Sequence, residues 1–397
     1  MSGSAGSLPH ASGTTVLAAS LAARFPQGMA PLSVLLLVQA RTGSVAAAGL
    51  ATGAWSLGAA VAPPLWARPA GRGRADRVVA ALGLAQGLVL VALAAAPGDS
   101  APAFTVLAAL GGLLAAPASP VARTLWPRLG RTAHEVDRLY TLDATAQELI
   151  FIAGPALVGV LVALASPSAA LVAAAAAGAG GALLFARTIR PLWVPHPSEG
   201  RREPMGRALW LPWSSLFALA LALGVTEVGI PATALADGRG AVSGGVLAVW
   251  SLGSLVGGAL SSRHVWSWGP ARRLPALFGA LVAGSVVVWI TWQFGLGWLT
   301  VALFAAGLAL APTLAGLYAV IAEVSRESRR TDAFALGNTS ILLGLGLGAS
   351  AGGWLSATDP RHAFAATTGL LVVATLPTLV QRERSTRFSS QTGPSAS

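Results

Sequence analysis

Twelve apolar stretches of about 18 to 26 residues follow one another along the chain, separated by short polar connections. A helix needs about 20 apolar residues to cross the ~30 Å hydrocarbon core of a bilayer. The chain is 54% hydrophobic and 10% charged, which is too apolar for a soluble domain of this length. The sequence therefore predicts an all-α integral membrane protein. Its twelve predicted transmembrane helices are 15–39, 44–66, 76–97, 101–122, 140–165, 168–188, 208–232, 241–262, 273–293, 297–321, 333–356 and 363–380.

Arginine supplies all 26 basic residues, and its distribution predicts the orientation of these helices. With a cytoplasmic N-terminus, 22 arginines lie in cytoplasmic loops and in the C-terminal tail. Three lie in loops on the opposite side, Arg41, Arg239 and Arg361, and the remaining one, Arg24, lies well inside a predicted helix. The positive-inside rule then predicts a multi-pass protein of the cell (inner) membrane with both termini in the cytoplasm. The net charge of +11 is attributed to topology, so no nucleic-acid partner is expected.

Two residue types are missing, and their absence excludes several kinds of site. Without lysine there is no Walker-type phosphate loop and no Schiff-base lysine, so ATP is not the expected energy source. Without cysteine there are no disulfides and no thiolate metal sites. No cofactor, metal or enzymatic activity is expected.

Two segments that lie half a chain apart are closely similar. Residues 46–68 and 241–263 both contain WSLG and share nine identities in 23 positions at a constant offset of 195. A polar stretch at about 189–207 separates the two copies. The sequence therefore predicts two six-helix halves, 1–195 and 196–397, repeated in the same orientation, which is typical of transporters.

The fifth and eleventh predicted helices align in the same way. An offset of 194 matches Gly154 with Gly348 and Gly159 with Gly353. Glycines also recur four residues apart, a spacing that permits close approach between helices. These glycines are Gly49 and Gly53, Gly253 and Gly257, and Gly344, Gly348 and Gly352.

Four stretches carry a resemblance to a known family. They are RFPQGMAPLSVLLLV (24–38), GSVAAAGLATGAWSLGAAVAPPL (43–65), LDATAQELIFIAGPALVGVL (142–161) and GVTEVGIPATALADGRGAVSGGVLAVWSLGSLVGG (224–258). Over about residues 15–380 the chain resembles the major facilitator superfamily, most closely the twelve-helix proton-linked exporters of actinobacteria. The resemblance implies a secondary transporter of small molecules, expected to be a monomer. It would work by alternating access between the halves and take its energy from the proton gradient.

The exporters of this family carry the sequence G-x-x-x-G-P-x-x-G-G on their fifth helix. Here Gly154, Pro155 and Gly159 match this antiporter-like motif, whereas Ile150 and Val158 replace two of its glycines. The resemblance therefore favours export.

A second family motif, G-x-x-x-D-R-x-G-R-R, follows the second helix and is only partly kept. Gly71 and Arg72 match, but Arg68 stands in place of the aspartate and Pro64 in place of the first glycine. The resemblance implies an altered gating network, in which Asp76 is a substitute for the missing carboxylate.

Four charged side chains lie inside the predicted helices, beyond the terminal two residues at either end: Arg24, Asp143, Glu148 and Glu227. A charge at membrane depth is costly unless it is paired or hydrated. Glu148 lies about 12 Å into its helix, and Glu227 lies just before Pro231. Each is a candidate for proton coupling or substrate binding, and the alternative for each is a structural hydrogen bond or ion pair.

The other two charges have simpler interpretations. Asp143 is expected to form a structural pair with the nearby Arg138, and the alternative is a role in proton coupling or substrate binding. Arg24 is expected to neutralise Glu148 or Glu227, or to bind an anionic group of a substrate.

Trp55 and Trp250 occupy equivalent positions in the repeat. They are predicted to pack at the seam between the halves, and the alternative is stacking with an aromatic or cationic substrate. Other tryptophans near helix ends, including Trp66, are expected to form an interfacial belt.

Together these features predict a proton-coupled exporter of small amphipathic compounds in a lipid bilayer. An importer or a metabolite exporter on the same fold is the nearest alternative. A membrane sensor that does not transport is the alternative from another class.

Overall fold

The computed structural model describes residues 13–72, 75–130, 132–192, 206–263, 268–325 and 330–391. Within these ranges the chain forms fifteen α-helices, three short 3₁₀ helices and no strand. The helices are α1 (Gly13–Arg24), α2 (Pro26–Thr42), α3 (Val45–Arg72), α4 (Ala75–Ala95), α5 (Ala101–Leu113), α6 (Ala118–Leu129), α7 (Ala133–Leu164), α8 (Pro167–Ile189), α9 (Trp210–Ala236), α10 (Ser243–Arg263), α11 (Pro270–Thr291), α12 (Leu296–Gly307), α13 (Leu310–Val324), α14 (Arg330–Ser356) and α15 (Arg361–Gln391).

The predicted all-α membrane architecture is confirmed, and each predicted transmembrane helix coincides with one or two of these helices. In the described ranges, ten spans are long and apolar enough to cross a membrane. The two remaining predicted passes lie in α7 and α14, and the apolar part of α7 is Leu149–Leu164.

Three of the passes are broken into two helices. The first breaks at Phe25, between α1 and α2, directly before Pro26. The other two breaks separate α5 from α6 and α12 from α13, close to Pro117 and Pro312. Proline has no N–H and disfavours helical geometry in the residue before it, so helices tend to end at such positions.

The internal repeat is reproduced in the packing of the helices. A Cβ added to Gly112 of α5 would lie 2.0 Å from the carbonyl oxygen of Trp55 in α3. A Cβ added to Gly307 of α12 would lie 2.6 Å from the carbonyl oxygen of Trp250 in α10. A second repeated contact pairs Gly58 with Ala109 and Gly253 with Phe304. The repeated sequence therefore builds the same contact between two helices twice. Only glycine, which has no side chain, lets the backbones approach this closely.

The two halves meet along two helix pairs, α3 with α14 and α7 with α10. A Cβ on Gly49 of α3 would lie 2.5 Å from Gly353 Cα of α14. A Cβ on Gly244 of α10 would lie 2.8 Å from the backbone nitrogen of Gly159 in α7. Both contacts lie near the start of α3 or α10 and near the end of the partner helix. They therefore close the same end of the molecule, called the closed end below.

The apolar clusters follow the same division. One cluster joins buried residues of both halves, among them Leu35 of α2 and Ile230 of α9, and lies toward the closed end. Two further clusters each stay within one half toward the other end, one around Trp126 and one around Phe278. The halves thus share a core at the closed end and have separate cores at the opposite end.

Candidate functional site

Arg24, the last residue of α1, is buried and forms an ion pair with Asp143 of α7. Its Nη1 donates to Gln147 Oε1 at 3.0 Å, and its Nε donates to the carbonyl of Ser20 at 3.3 Å. Pro26 and the break after α1 bring the guanidinium to the α7 surface. The charge of Arg24 is thus neutralised inside one half of the molecule.

Asp143 holds a second arginine as well. Arg123 of α6 donates from Nε to Asp143 Oδ2 at 2.8 Å, and its side chain is half exposed. Gln147 Nε2 extends the network by donating to Gln27 Oε1 of α2 at 3.4 Å. Asp143 thereby connects α1 and α6 to α7 through two charged hydrogen bonds, which are the stronger kind.

These partners differ from those that the sequence suggested. Asp143 is paired, but with Arg24 and Arg123, and the side chain of its predicted partner Arg138 lies outside the described residues. Arg24 is paired with Asp143 and not with Glu227. The pairs join different helices, so no local spacing in the sequence indicates them.

Glu227 of α9 has a different environment. Its side chain is half-buried, and within the described ranges no residue forms a hydrogen bond or ion pair with it. Pro231 lies inside α9 and has no N–H, so the Glu227 carbonyl also lacks its helical donor. One and two helical turns further on, Ile230 and Ala234 belong to the apolar cluster of the closed end. Glu227 is therefore a carboxylate without a counter-charge, placed beside the core that closes one end.

The neighbouring Thr226 points elsewhere. Its hydroxyl donates to the Ala222 carbonyl at 2.9 Å and lies 2.9 Å from the hydroxyl of Thr367 in α15. Thr226 and Thr367 line an apolar cavity of about 40 Å³ within the second half, together with Trp250. This volume fits a water molecule or two and is too small for a drug-sized ligand.

In α3 and in α10, the repeated tryptophan does not lie on the helix face that forms the seam contacts. Trp55 is buried, and its ring lies against Gly111 of α5 in its own half. The seam face of α3 carries Gly49 and Gly53, on the opposite side of the helix. The Trp55 ring thus packs within its own half, and Trp55 also belongs to the apolar cluster that both halves share. Trp250 is half-buried and lines the small cavity of its own half.

The antiporter-like motif lies at the closed end. Gly154 packs on α2, where a Cβ would lie 2.5 Å from the carbonyl carbon of Gly28. Pro155 lies inside α7 and leaves the carbonyl of Phe151 without a helical donor. The hydroxyl of Ser251 in α10 donates to that carbonyl at 3.5 Å, across the two halves. With Gly159, which packs on α10, the motif contributes directly to the seam between the halves.

The side chains of several predicted site residues are not among those that the structure describes. The side chain of Glu148 in α7 is not among the described residues. The same holds for the side chains of the partial loop motif, Pro64, Arg68, Gly71 and Arg72, which belong to α3. Asp76, the proposed substitute carboxylate, lies in the first turn of α4, 4.0 Å from Arg190 Nε.

The sequence did not indicate two side chains that donate hydrogen bonds to carbonyls at the end of a broken helix. Trp66 Nε1 donates to the carbonyl of Leu113 at 2.7 Å, and Gln86 Nε2 donates to the carbonyl of Gly111 at 2.8 Å. Trp66 was expected in the interfacial belt, but it caps the end of α5. Pro117 is the sequence signal for this role, because proline has no N–H to donate to the Leu113 carbonyl four residues earlier.

Comparisons with known proteins agree on one family. The sequence profile of the Major Facilitator Superfamily matches residues 16–304 and, in a second match, 218–395. The chain is 28% identical over 350 residues to the uncharacterized MFS-type transporter y4rN of Sinorhizobium fredii (strain NBRC 101917 / NGR234), covering 81% of this chain and 82% of the relative.

Solved structures share the fold at low sequence identity. A bacterial homologue of the iron transporter ferroportin, in an inward-facing state, matches with a TM-score of 0.72 and 14% identity over 93% of this chain and 98% of that chain. The nucleoside transporter NupG matches with a TM-score of 0.70 and 14% identity over 93% and 98%. The peptide transporter POT in complex with sulfate matches with a TM-score of 0.70 and 14% identity over 94% of both chains.

Proposed function

Because the chain belongs to the major facilitator superfamily, we propose that it is a proton-coupled secondary transporter that exports small amphipathic compounds. In this proposal it works as a monomer in the cell membrane, with both termini in the cytoplasm. The halves 1–195 and 196–397 rock against each other, and their boundary falls within 193–205, outside the described residues. The protein itself is a multi-pass membrane protein of a transporter family.

The closure of one end supports alternating access. With cytoplasmic termini, the closed end faces outward and the described state opens toward the cytoplasm. The halves share one apolar core at the closed end and keep separate cores at the other. A rocking motion that opens this end would then separate the small-residue contacts of the seam and the shared apolar core. It would leave the two cores that stay within one half intact.

The observation that carries the proposed coupling is the unpaired carboxylate of Glu227. A charge at membrane depth without a partner is unfavourable, so the half-buried carboxylate gains from binding a proton or a cation. Asp143, by contrast, is held by two arginines and is assigned a structural role. Glu227 is thus the best-supported proton carrier, and Glu148 is kept as the second candidate from the sequence. A proton that crosses 100 mV supplies about 2.3 kcal/mol.

The position of the antiporter-like motif supports export. Gly154 and Gly159 allow α7 to approach α2 and α10 at backbone distance at the closed end. Tight closure there would prevent an exported compound from leaking back. The seam thus offers a physical reason for the motif that the resemblance associates with exporters.

The test uses inside-out membrane vesicles that contain an acid-sensing dye and are energised to acidify their interior. A panel of lipophilic cations and aromatic antibiotics is added to vesicles with wild type, Glu227→Gln or Glu148→Gln. Glu323→Gln is the matched control, because Glu323 is an exposed carboxylate of α13. We expect compound-driven proton release in wild type and in the control, and its loss in Glu227→Gln.

Proton release at the wild-type rate in Glu227→Gln would contradict its role as carrier. Release that is lost only in Glu148→Gln would move the role to Glu148. No release with any compound in wild type would contradict export of this panel and would favour a metabolite transporter or a sensor.

A further inference from the structure

Two broken passes break at the same repeated sequence. The pattern Gly-x-x-x-x-Pro occurs at 112–117, between α5 and α6, and at 307–312, between α12 and α13. The proline has no N–H, so the carbonyl four residues before it receives no helical hydrogen bond. These carbonyls belong to Leu113 and Leu308. Each break therefore presents one carbonyl that needs a donor from elsewhere.

In the first half the chain supplies this donor itself. Trp66 of α3 donates from Nε1 to the Leu113 carbonyl at 2.7 Å. Gln86 of α4 donates to the carbonyl of Gly111, two residues before Leu113, at 2.8 Å. The break between α5 and α6 is thus capped by an indole and an amide.

In the second half the residues at the equivalent positions do not supply this donor. The offset of 195 places Ser261 where Trp66 stands and Leu281 where Gln86 stands. In the part of the chain that the structure describes, no side chain donates to the Leu308 carbonyl. The surface beside the break instead carries an open groove of about 410 Å³. Its lining includes Gly257, Leu260, Ser261, Leu277, Leu308 and Pro312.

We propose that this groove binds a planar amphiphile that carries a hydrogen-bond donor, of the indole type. Its N–H would donate to the Leu308 carbonyl as Trp66 donates to Leu113, and its ring would lie where the repeat lacks a tryptophan. The volume falls in the range of small-molecule sites, about 300–1,000 Å³. Leu260 on the rim is 60% exposed, so the ligand reaches the groove from the apolar part of the bilayer. The proposal does not depend on the direction or coupling of transport.

The probe is fluoroindole, added to the purified full-length chain in lipid nanodiscs and followed by the ¹⁹F line width. Its N-methyl analogue has the same ring without the donor, and we expect it to bind roughly fivefold more weakly, the effect of one hydrogen bond. Equal binding of the two probes would overturn the proposal.

Ser261→Trp fills the groove with the indole of the chain itself. We expect it to abolish binding of fluoroindole, whereas Ser261→Ala keeps the groove and binds as wild type does. Full binding to Ser261→Trp would overturn the proposal. Pro312→Ala is a second, independent variant, because it returns an N–H to the Leu308 carbonyl. It should weaken fluoroindole binding but leave binding of the N-methyl analogue unchanged, and equal loss of both would contradict the proposed contact.

Discussion

Gly244→Ala tests whether the seam of small residues holds one end of the molecule closed. A Cβ at Gly244 would lie 2.1 Å from the carbonyl oxygen of Pro155 in the other half. This is about 1.3 Å short of the 3.4 Å at which ordinary contact begins, and the atom it meets is backbone. The backbones of α7 and α10 must therefore move apart at the seam. Such overpacking destabilises the closed state by about 1–3 kcal/mol.

This cost falls on the closed state alone, because α7 and α10 separate when that end opens. The expected shift toward the open state is therefore roughly 5- to 150-fold. Gly245→Ala is the matched control, since nothing lies within 4 Å of a Cβ there. Both substitutions change helix propensity equally. A difference between the variants thus reports the seam contact itself.

The measurement is a distance distribution between two spin labels at the closed end. The chain has no cysteine, so Asp99→Cys and Gln293→Cys give specific labelling of exposed positions, one in each half. We expect longer distances in Gly244→Ala than in wild type or Gly245→Ala. Identical distributions in all three proteins would refute the assignment of the seam as the closed end.

Three further substitutions test side-chain contacts of the first half. Asp143→Asn leaves Arg24 buried without a counter-charge and should destabilise the protein by about 3–5 kcal/mol. Arg123→Gln removes a half-exposed partner and should cost about 1 kcal/mol or less. Thermal unfolding in detergent measures both losses of stability, and equal losses would contradict the central role of the buried pair. Trp66→Phe keeps the ring but removes the donor to the Leu113 carbonyl, so unfolding should become easier by about 1–3 kcal/mol, and unchanged stability would show that the break needs no cap.

The helices and the repeat could be predicted because both depend on local properties. Length and hydropathy along about 20 residues decide whether a segment can cross a bilayer. The WSLG copies also contain a repeated packing contact, because Gly58 and Gly253 follow Trp55 and Trp250 and pack in the same way. The pairing of Arg24 with Asp143 could not be predicted, because it joins helices 119 residues apart.

The charged side chains of the candidate site are not repeated between the halves. The contact of Gly28 with α7 matches that of Gly224 with α14, which sets the offset between α2 and α9 at 196. Under this offset Arg24 corresponds to Ala220, and Glu227 corresponds to Pro31. The glycine contacts are nearly twofold, whereas the charged side chains are not related by the repeat. Among the described residues, the first half holds the Arg24–Asp143–Arg123 network and the equivalent positions of the second half hold no such network. Glu227 of the second half likewise has no carboxylate as its counterpart in the first half.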